Sequence, residues 1–261
     1  MAYRYITATS AGAVTTLSLA RPDKLNAMVL GVLEELSDAV DAAIAGGARA
    51  LILTGEGRFF CSGADLTESD GGGVELDDLG IGLDTHYNPF LRKLATLEIP
   101  IVTALNGPVA GGGVGIALSG DLIVMAESAY ILLPFVNIGL VPDVGGTWLI
   151  ARSAGRARAL EMALLGERMG AAEAKSVGLV NRVVPAEDVL ATAQALAERL
   201  ANGPTVALGL IRRQVAFALD NNFDATLQLE RVNQRLCGRT ADAAEAISAF
   251  GEKRKPQFKG Q

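Results

Sequence analysis

The chain has 261 residues, half of them apolar, and a formal charge of −6 with acids and bases interspersed. That length can bury the core of one large domain or of a domain with an appendage. The acidic balance lacks the basic stripe that nucleic-acid binding demands, and Cys61, Cys237 and the lone His86 fit no metal-ligand or redox spacing.

Two alternating runs, Tyr3–Thr9 and Val14–Leu19, separated by Ala-Gly, predict a hairpin. Arg21–Ala27 reads as a polar turn. Val29–Ile44 places Leu30, Leu33, Val40 and Ile44 at helical spacing, with Gly46-Gly47 as the stop. Ala50–Thr54 is a buried strand. The Asp-, Glu- and Gly-rich stretch after Leu66, with Gly71-Gly72-Gly73, reads as a long lid or binding loop. A helix over His86–Leu97, a strand over Ile101–Leu105, a helix over Gly111–Ser119 and a strand over Leu122–Met125 follow. Tyr130–Leu133 and Ile138 are expected to be buried. From Gly155 the chain turns helical, broken by a strand-like Leu179–Val184, and Glu187–Phe250 reads as three or four amphipathic helices before a basic tail. Ile99–Gly120 is uncharged and long enough to span a membrane. Its Pro100, Pro108, Asn106 and six glycines argue instead for strand, turn and helix. The N-terminus lacks a signal-peptide pattern, so a soluble, cytoplasmic protein without a membrane association is expected.

Two glycine turns carry chemical interest. In Arg58–Leu66 (RFFCSGADL), Gly63 permits a tight turn that leaves the N–H of Ala64 or Asp65 without an acceptor, and Asp65 could cap a following helix. In Asn106–Gly115 (NGPVAGGGVG), three consecutive glycines let a ligand approach backbone, and the first helical turn presents free N–H groups with a dipole that favours negative charge. Neither segment fits a phosphate-loop spacing, and ordinary connections would explain each alone. Together they could supply the two donors of an oxyanion hole.

FCSGADL, NGPVAGGGVGIALSGDL and PFVNIGLVPDVGGTW, in this order and spacing, resemble the crotonase (enoyl-CoA hydratase/isomerase) superfamily across essentially the whole chain, including RPDKLNAM and the KRKPQFK tail. The resemblance implies an α/β spiral of repeated ββα units over residues 1–200, binding acyl-CoA, and a helical trimerisation region over residues 201–261. It implies an acyl-CoA thioester substrate, with coenzyme A as part of the substrate and no separate cofactor or metal, and a homotrimer or a dimer of trimers. It assigns the hole to the N–H groups of Ala64 and Gly112. Hydratases of the family carry two glutamates at the positions of Gly115 and Phe135, and neither residue here can move a proton. That leaves Asp143, which the isomerase branch, above all ring-1,2-epoxyphenylacetyl-CoA isomerases, uses as a lone acid; a helix N-cap is the plainer role. The implied reaction is a one-base double-bond shift, or an epoxide rearrangement. A hydratase using Asp143 with a further acid, and a non-catalytic acyl-CoA binder, are the alternatives.

By the same resemblance Lys24, Ala27, Ser62, Asp65, Leu66, Phe258 and Lys259 line the acyl-CoA site, the tail partly from a neighbouring subunit. Gly115 and Phe135 are expected to shape a roomy apolar pocket, with Trp148 as a possible wall. His86 is a helix-start or lid residue, Cys61 has no activating neighbour, and Asp121 is a structural hydrogen-bond partner.

Overall fold

The computed structural model describes residues 3–67 and 78–261, so most of the expected lid lies outside the described residues. Strands β1 (Ile6–Ala11) and β2 (Val14–Leu19) form the expected hairpin, paired from Ile6↔Leu19 to Ala11↔Val14. The first strand starts later than its alternation suggests. The N–H groups of Arg4 and Tyr5 go to the Glu35 carboxylate instead of to a strand. Helix α1 (Leu30–Ala45) buries Val32, Leu33, Leu36, Ala39, Val40 and Ala43. Leu30 and Ile44, expected on that face, are exposed instead, because they lie at its two ends, outside the stripe from Val32 to Ala43.

Strand β3 (Ala50–Gly55) is buried along its whole length. The helix expected from His86 begins earlier, as α2 (Gly80–Gly82), a π-helical turn (Leu83–Tyr87) and α3 (Asn88–Thr96) without a break. The wider turn leaves His86 bonded to Thr85 and to Glu34 of α1 while Tyr87 is buried. Next come β4 (Ile101–Leu105), a short β5 (Val109–Ala110), α4 (Gly113–Leu118), β6 (Leu122–Ala126) and β7 (Tyr130–Leu132). Ile131 and Leu133 are buried, but Ile138 is 57% exposed. It closes a 3-10 turn over Pro134–Ile138 that faces outward, contrary to expectation.

Helix α5 (Gly146–Leu165) begins well before Gly155, which instead kinks it at φ 83°. Then follow β8 (Arg168–Gly170), α6 (Ala171–Ser176), β9 (Arg182–Val184), α7 (Val189–Ala201), α8 (Thr205–Asp220), α9 (Phe223–Cys237) and α10 (Ala241–Gly251). Only the end of the expected Leu179–Val184 strand pairs, against β6.

The strands form two sheets, β1-β2-β3-β4-β6-β9 and β5-β7-β8. In the larger sheet only β1 runs antiparallel. Its central strands, ALILTG and IVTAL, are covered on both faces, which is why they are apolar without alternation. Helix α7 packs across β3, β4 and β6 with Val189, Ala193, Leu196 and Ala197 turned inward.

The architecture repeats one rule. A strand joins the large sheet, the chain turns, and a short strand joins the small one. Thus β4 leads to β5 and β6 leads to β7. The same step after β3 ends at Cys61, which bridges Val109 of β5 in parallel, and Val109 in turn pairs with Ile131 of β7. Cys61, Val109 and Ile131 are fully buried and stack as equivalent residues of successive units. No helix among the described residues is long and apolar enough to cross a membrane.

Candidate active site

That repeat is what brings the two glycine turns together. Because Cys61 and Val109 are register partners, the residues two further on, Gly63 and Gly111, also correspond. Both adopt left-handed backbone, φ 104° and φ 57°, which a side chain would strain. They also touch: a methyl built on Gly111 would lie 3.3 Å from Gly63 Cα, and one on Gly63 3.5 Å from Gly111 Cα. Ala64 and Gly112 each follow one of these glycines and so occupy equivalent places on adjacent turns.

Their N–H groups differ from their neighbours'. The Asp65 N–H goes to Met28 O, the Gly63 N–H to Cys61 Sγ, and the Gly111 N–H to Leu132 O. Among the described residues, the N–H groups of Ala64 and Gly112 have no such acceptor. The open choice between Ala64 and Asp65 therefore falls on Ala64. Two unpaired donors on adjacent turns can hold a developing oxyanion at low reorganisation cost. The expected helix dipole adds little, since α4 has only six residues and the macrodipole grows with aligned peptides.

A buried ion pair braces the first turn. Arg21, 8% exposed, reaches Asp65 Oδ2 at 3.2 Å and also donates to the carbonyl of Ala27. Met28 then pairs in parallel with Ala64, and the Ser62 N–H donates to Leu25 O at 3.0 Å. Ala27, Ser62 and Asp65 thus converge on the turn. Asp65 folds back on Thr67, accepting from its N–H and hydroxyl, and Leu66 is exposed. Arg21 lies inside the RPDKLNAM motif, yet its composition reads only as a polar turn.

Asp143 stands beside the second turn. A methyl built on Gly112 would lie 3.3 Å from its Oδ1. That oxygen is buried without a hydrogen-bond partner among the described residues. Helix α5 starts after Gly145 with no side-chain cap, so the N-cap role does not apply. Burial pushes the Asp143 carboxyl up to about 6, against a small opposing pull from its own N–H. Tyr87 is the group that sequence reasoning missed. Its hydroxyl is raised above its ordinary range, first by burial and then by the charges of Cys61 and Asp143. Nothing in the sequence marks it, because the π turn that buries it leaves no pattern. Burial pushes the Cys61 thiol up to about 12, so it stays protonated and is no nucleophile.

Phe135 is buried, its ring edge 4.0 Å from a methyl built on Gly111. Gly115 departs from expectation. It opens no room, because a methyl there would lie 1.7 Å from the carbonyl oxygen of Val144, which already fills the space. Trp148 is 46% exposed with the Arg152 guanidinium 4.2 Å from its ring centre, so it is not a core residue. Lys24 is exposed at the end of a 3-10 turn.

The tail is not loose. The N–H groups of Lys259 and Gly260 go to the buried Asp242 carboxylate at 2.6 and 2.8 Å, and Arg49 donates to Phe258 O. Arg49 precedes β3, whereas the Gly63 turn follows it. Phe258 and Lys259 therefore sit at the opposite end of that strand from their own chain's glycine turns. Among the described residues no cluster of His, Cys, Asp and Glu could hold a metal ion.

A two-sheet spiral whose neighbouring units set backbone N–H groups side by side is the fold of the crotonase class of enzymes. Residues 9–261 match the family described as enoyl-CoA hydratase/isomerase, and the chain belongs to it. It is 44% identical over 254 residues to the 1,2-epoxyphenylacetyl-CoA isomerase of Escherichia coli K12, covering 95% of each chain. It is 34% identical to the 2,3-dehydroadipyl-CoA hydratase of the same strain, covering 95% of this chain and 96% of that one. A crystal structure of enoyl-CoA hydratase from Bacillus anthracis superposes with a TM-score of 0.92 at 31% identity, covering 99% of this chain and all of the other.

Proposed function

We propose that this enzyme is an acyl-CoA isomerase that uses Asp143 as its single acid/base. The observation that carries the reading is the unpartnered, buried Asp143 oxygen beside Gly112. The thioester oxygen lies between the N–H groups of Ala64 and Gly112, which lowers the cost of placing negative charge there. Asp143, as carboxylate, takes a proton from the carbon next to the carbonyl of a 3-enoyl-CoA. The electron pair moves through the carbonyl to give a dienolate. The carboxyl then returns the proton two carbons along, leaving the double bond at position 2. A carboxyl raised to about 6 suits both halves near neutral pH. For an epoxide on an aromatic ring the same acid assists opening to the seven-membered oxepin. The 44% identity to an epoxyphenylacetyl-CoA isomerase supports this branch.

Water addition needs a second acid that neither Gly115 nor Phe135 supplies. The expected profile is turnover of 3-enoyl-CoA substrates without hydration of 2-enoyl-CoA. Asp143→Asn is expected to lower kcat by about 10²–10⁴-fold while acyl-CoA affinity stays within a few-fold. Isomerisation that survives this substitution sinks the assignment. A homotrimer belongs to the same reading. The C-terminal helices expose Phe223, Ile247 and Phe250 at 76, 76 and 87%, more apolar surface than a solvated face needs. Sedimentation equilibrium at a single-chain mass would overturn that part.

A further inference from the structure

A carboxylate oxygen buried without a hydrogen-bond partner has to be held in place by the backbone that carries it. The residue after Asp143 is Val144, at φ 49°, the one β-branched residue among the left-handed positions of the described chain. A branched side chain disfavours that conformation, so packing must enforce it. Its carbonyl provides the reason. That oxygen lies where the Cβ of residue 115 would be, at 1.7 Å from the ideal position, with the carbonyl carbon at 2.8 Å. The Val144 side chain is buried and straddles the first turn of α4. One methyl is 2.9 Å from a methyl built on Gly112, and the other is 3.1 Å from one built on Gly115. Behind it Gly145, also left-handed, starts α5, and the Gly146 N–H returns to Asp143 O at 2.9 Å.

We propose that Gly115 and Val144 are a pair of positioning residues: the bare backbone of Gly115 seats the Val144 carbonyl, and that seat holds the Asp143 carboxyl against Gly112. The placement stands on its own, and its consequence for turnover rests on the proposed role of Asp143. It also explains the absence of a carboxylate at position 115. Backbone excludes any side chain there, so the loop that delivers the lone acid displaces a second acid on α4. The choice of a one-acid reaction is built into the Pro142–Gly146 connection as well as into the missing glutamates.

The test reads the Asp143 carboxyl directly. Infrared difference spectra between pH 4 and 8 follow its protonated carbonyl stretch, with Asp143→Asn identifying the band. Among the described residues Tyr87 and Cys61, both raised by burial, remain neutral across the range. The parent band is expected to titrate near 6. Gly115→Ala, and Val144→Pro with its fixed negative φ, are each expected to lower that midpoint by about one unit or more as the carboxyl swings to solvent. In both, kcat falls about 100-fold and KM stays within about three-fold. Val144→Gly accepts φ 49° without strain and keeps the midpoint within a few tenths. The double variant Gly115→Ala/Val144→Gly stays shifted, since the obstacle is a backbone carbonyl. A folded Gly115→Ala with an unshifted band, a double variant that regains the parent midpoint, or a Val144→Gly that loses it would each overturn the proposal. Where Gly115→Ala does not fold, Val144→Pro decides, and an unshifted band in that variant overturns the proposal. Full turnover in Asp143→Asn alongside these shifts would refute the isomerase mechanism and leave the positioning pair intact.

Discussion

The paired glycine turns and the Asp143 loop sit side by side, yet they are built on opposite principles. The turns are products of repetition. Cys61 and Val109 are register partners, so Gly63 falls beside Gly111 and the two free N–H groups follow without further specification. The Asp143 loop is unique in the chain. It carries a valine in a disfavoured conformation, with its carbonyl seated against Gly115 and its side chain packed on the first turn of α4. The first arrangement is enforced by the sheet, and its donors depend on two bare backbones meeting at Gly63 and Gly111. The second is local, and its chemistry can be tuned or lost by one substitution.

The sharpest way to break that contrast is Gly111→Val. A branched side chain at φ 57°, 3.3 Å from Gly63 Cα, must part the two turns. Loss of one donor alone costs about 10²–10³ in kcat, and kcat/KM for the folded fraction is expected to fall at least that far. Preserved activity would show that the turns need not touch.

Changing pH between about 4 and 8 probes the loop. In the proposed mechanism Asp143 must be ionised to take the first proton, so kcat/KM should fall about tenfold per pH unit below about 6 and level off above it. Stability carries the opposite sign. The folded-state value is raised above the ordinary 3.8, so the native state holds an extra proton and stability declines as pH rises from about 4 to 6. Asp143→Asn removes that slope. Allowing for solvent contact, the gain above pH 6 is on the order of 1 kcal/mol, or roughly 2–4 °C in Tm. Calorimetry at pH 4.5 and 7.5 measures both. Equal Tm differences at the two pH values would contradict the buried-acid account.

Arg21→Lys sharpens the first region. A single ammonium cannot span both Asp65 and the Ala27 carbonyl as the guanidinium does. A loss of up to about tenfold in kcat/KM is expected from the loosened Ala64 turn, small beside Gly111→Val. The smallest effect on turnover is expected at Asp121. Its carboxylate accepts the Ile101 N–H and pairs with Arg212 of α8, whose side chain is 9% exposed, away from both regions. Asp121→Ala removes the acceptor of the Ile101 N–H and the charge partner of Arg212, which keeps its bonds to the Leu94 and Leu97 carbonyls. It should cost roughly 2 kcal/mol of stability, with kcat per folded molecule unchanged.

Much of this was determined by sequence alone. Fully apolar strands such as ALILTG can only lie inside a covered parallel sheet, and glycines at 63 and 111 forecast turns that side chains could not make. The motifs also sufficed to name the family and to mark Asp143 as the candidate acid. Tertiary structure decided what those residues do to one another. Local pattern could not show that Gly115 is a seat for a carbonyl and not open space, since the occupant comes from a loop nearly thirty residues away. Nor could it show Tyr87 turning inward through a π turn, Ile138 turning outward, or the tail pinned to Asp242. Periodicity reports which face of an element is apolar. Which backbone group fills a gap, and whether a carboxyl keeps a partner, depend on segments that meet only when the chain is folded.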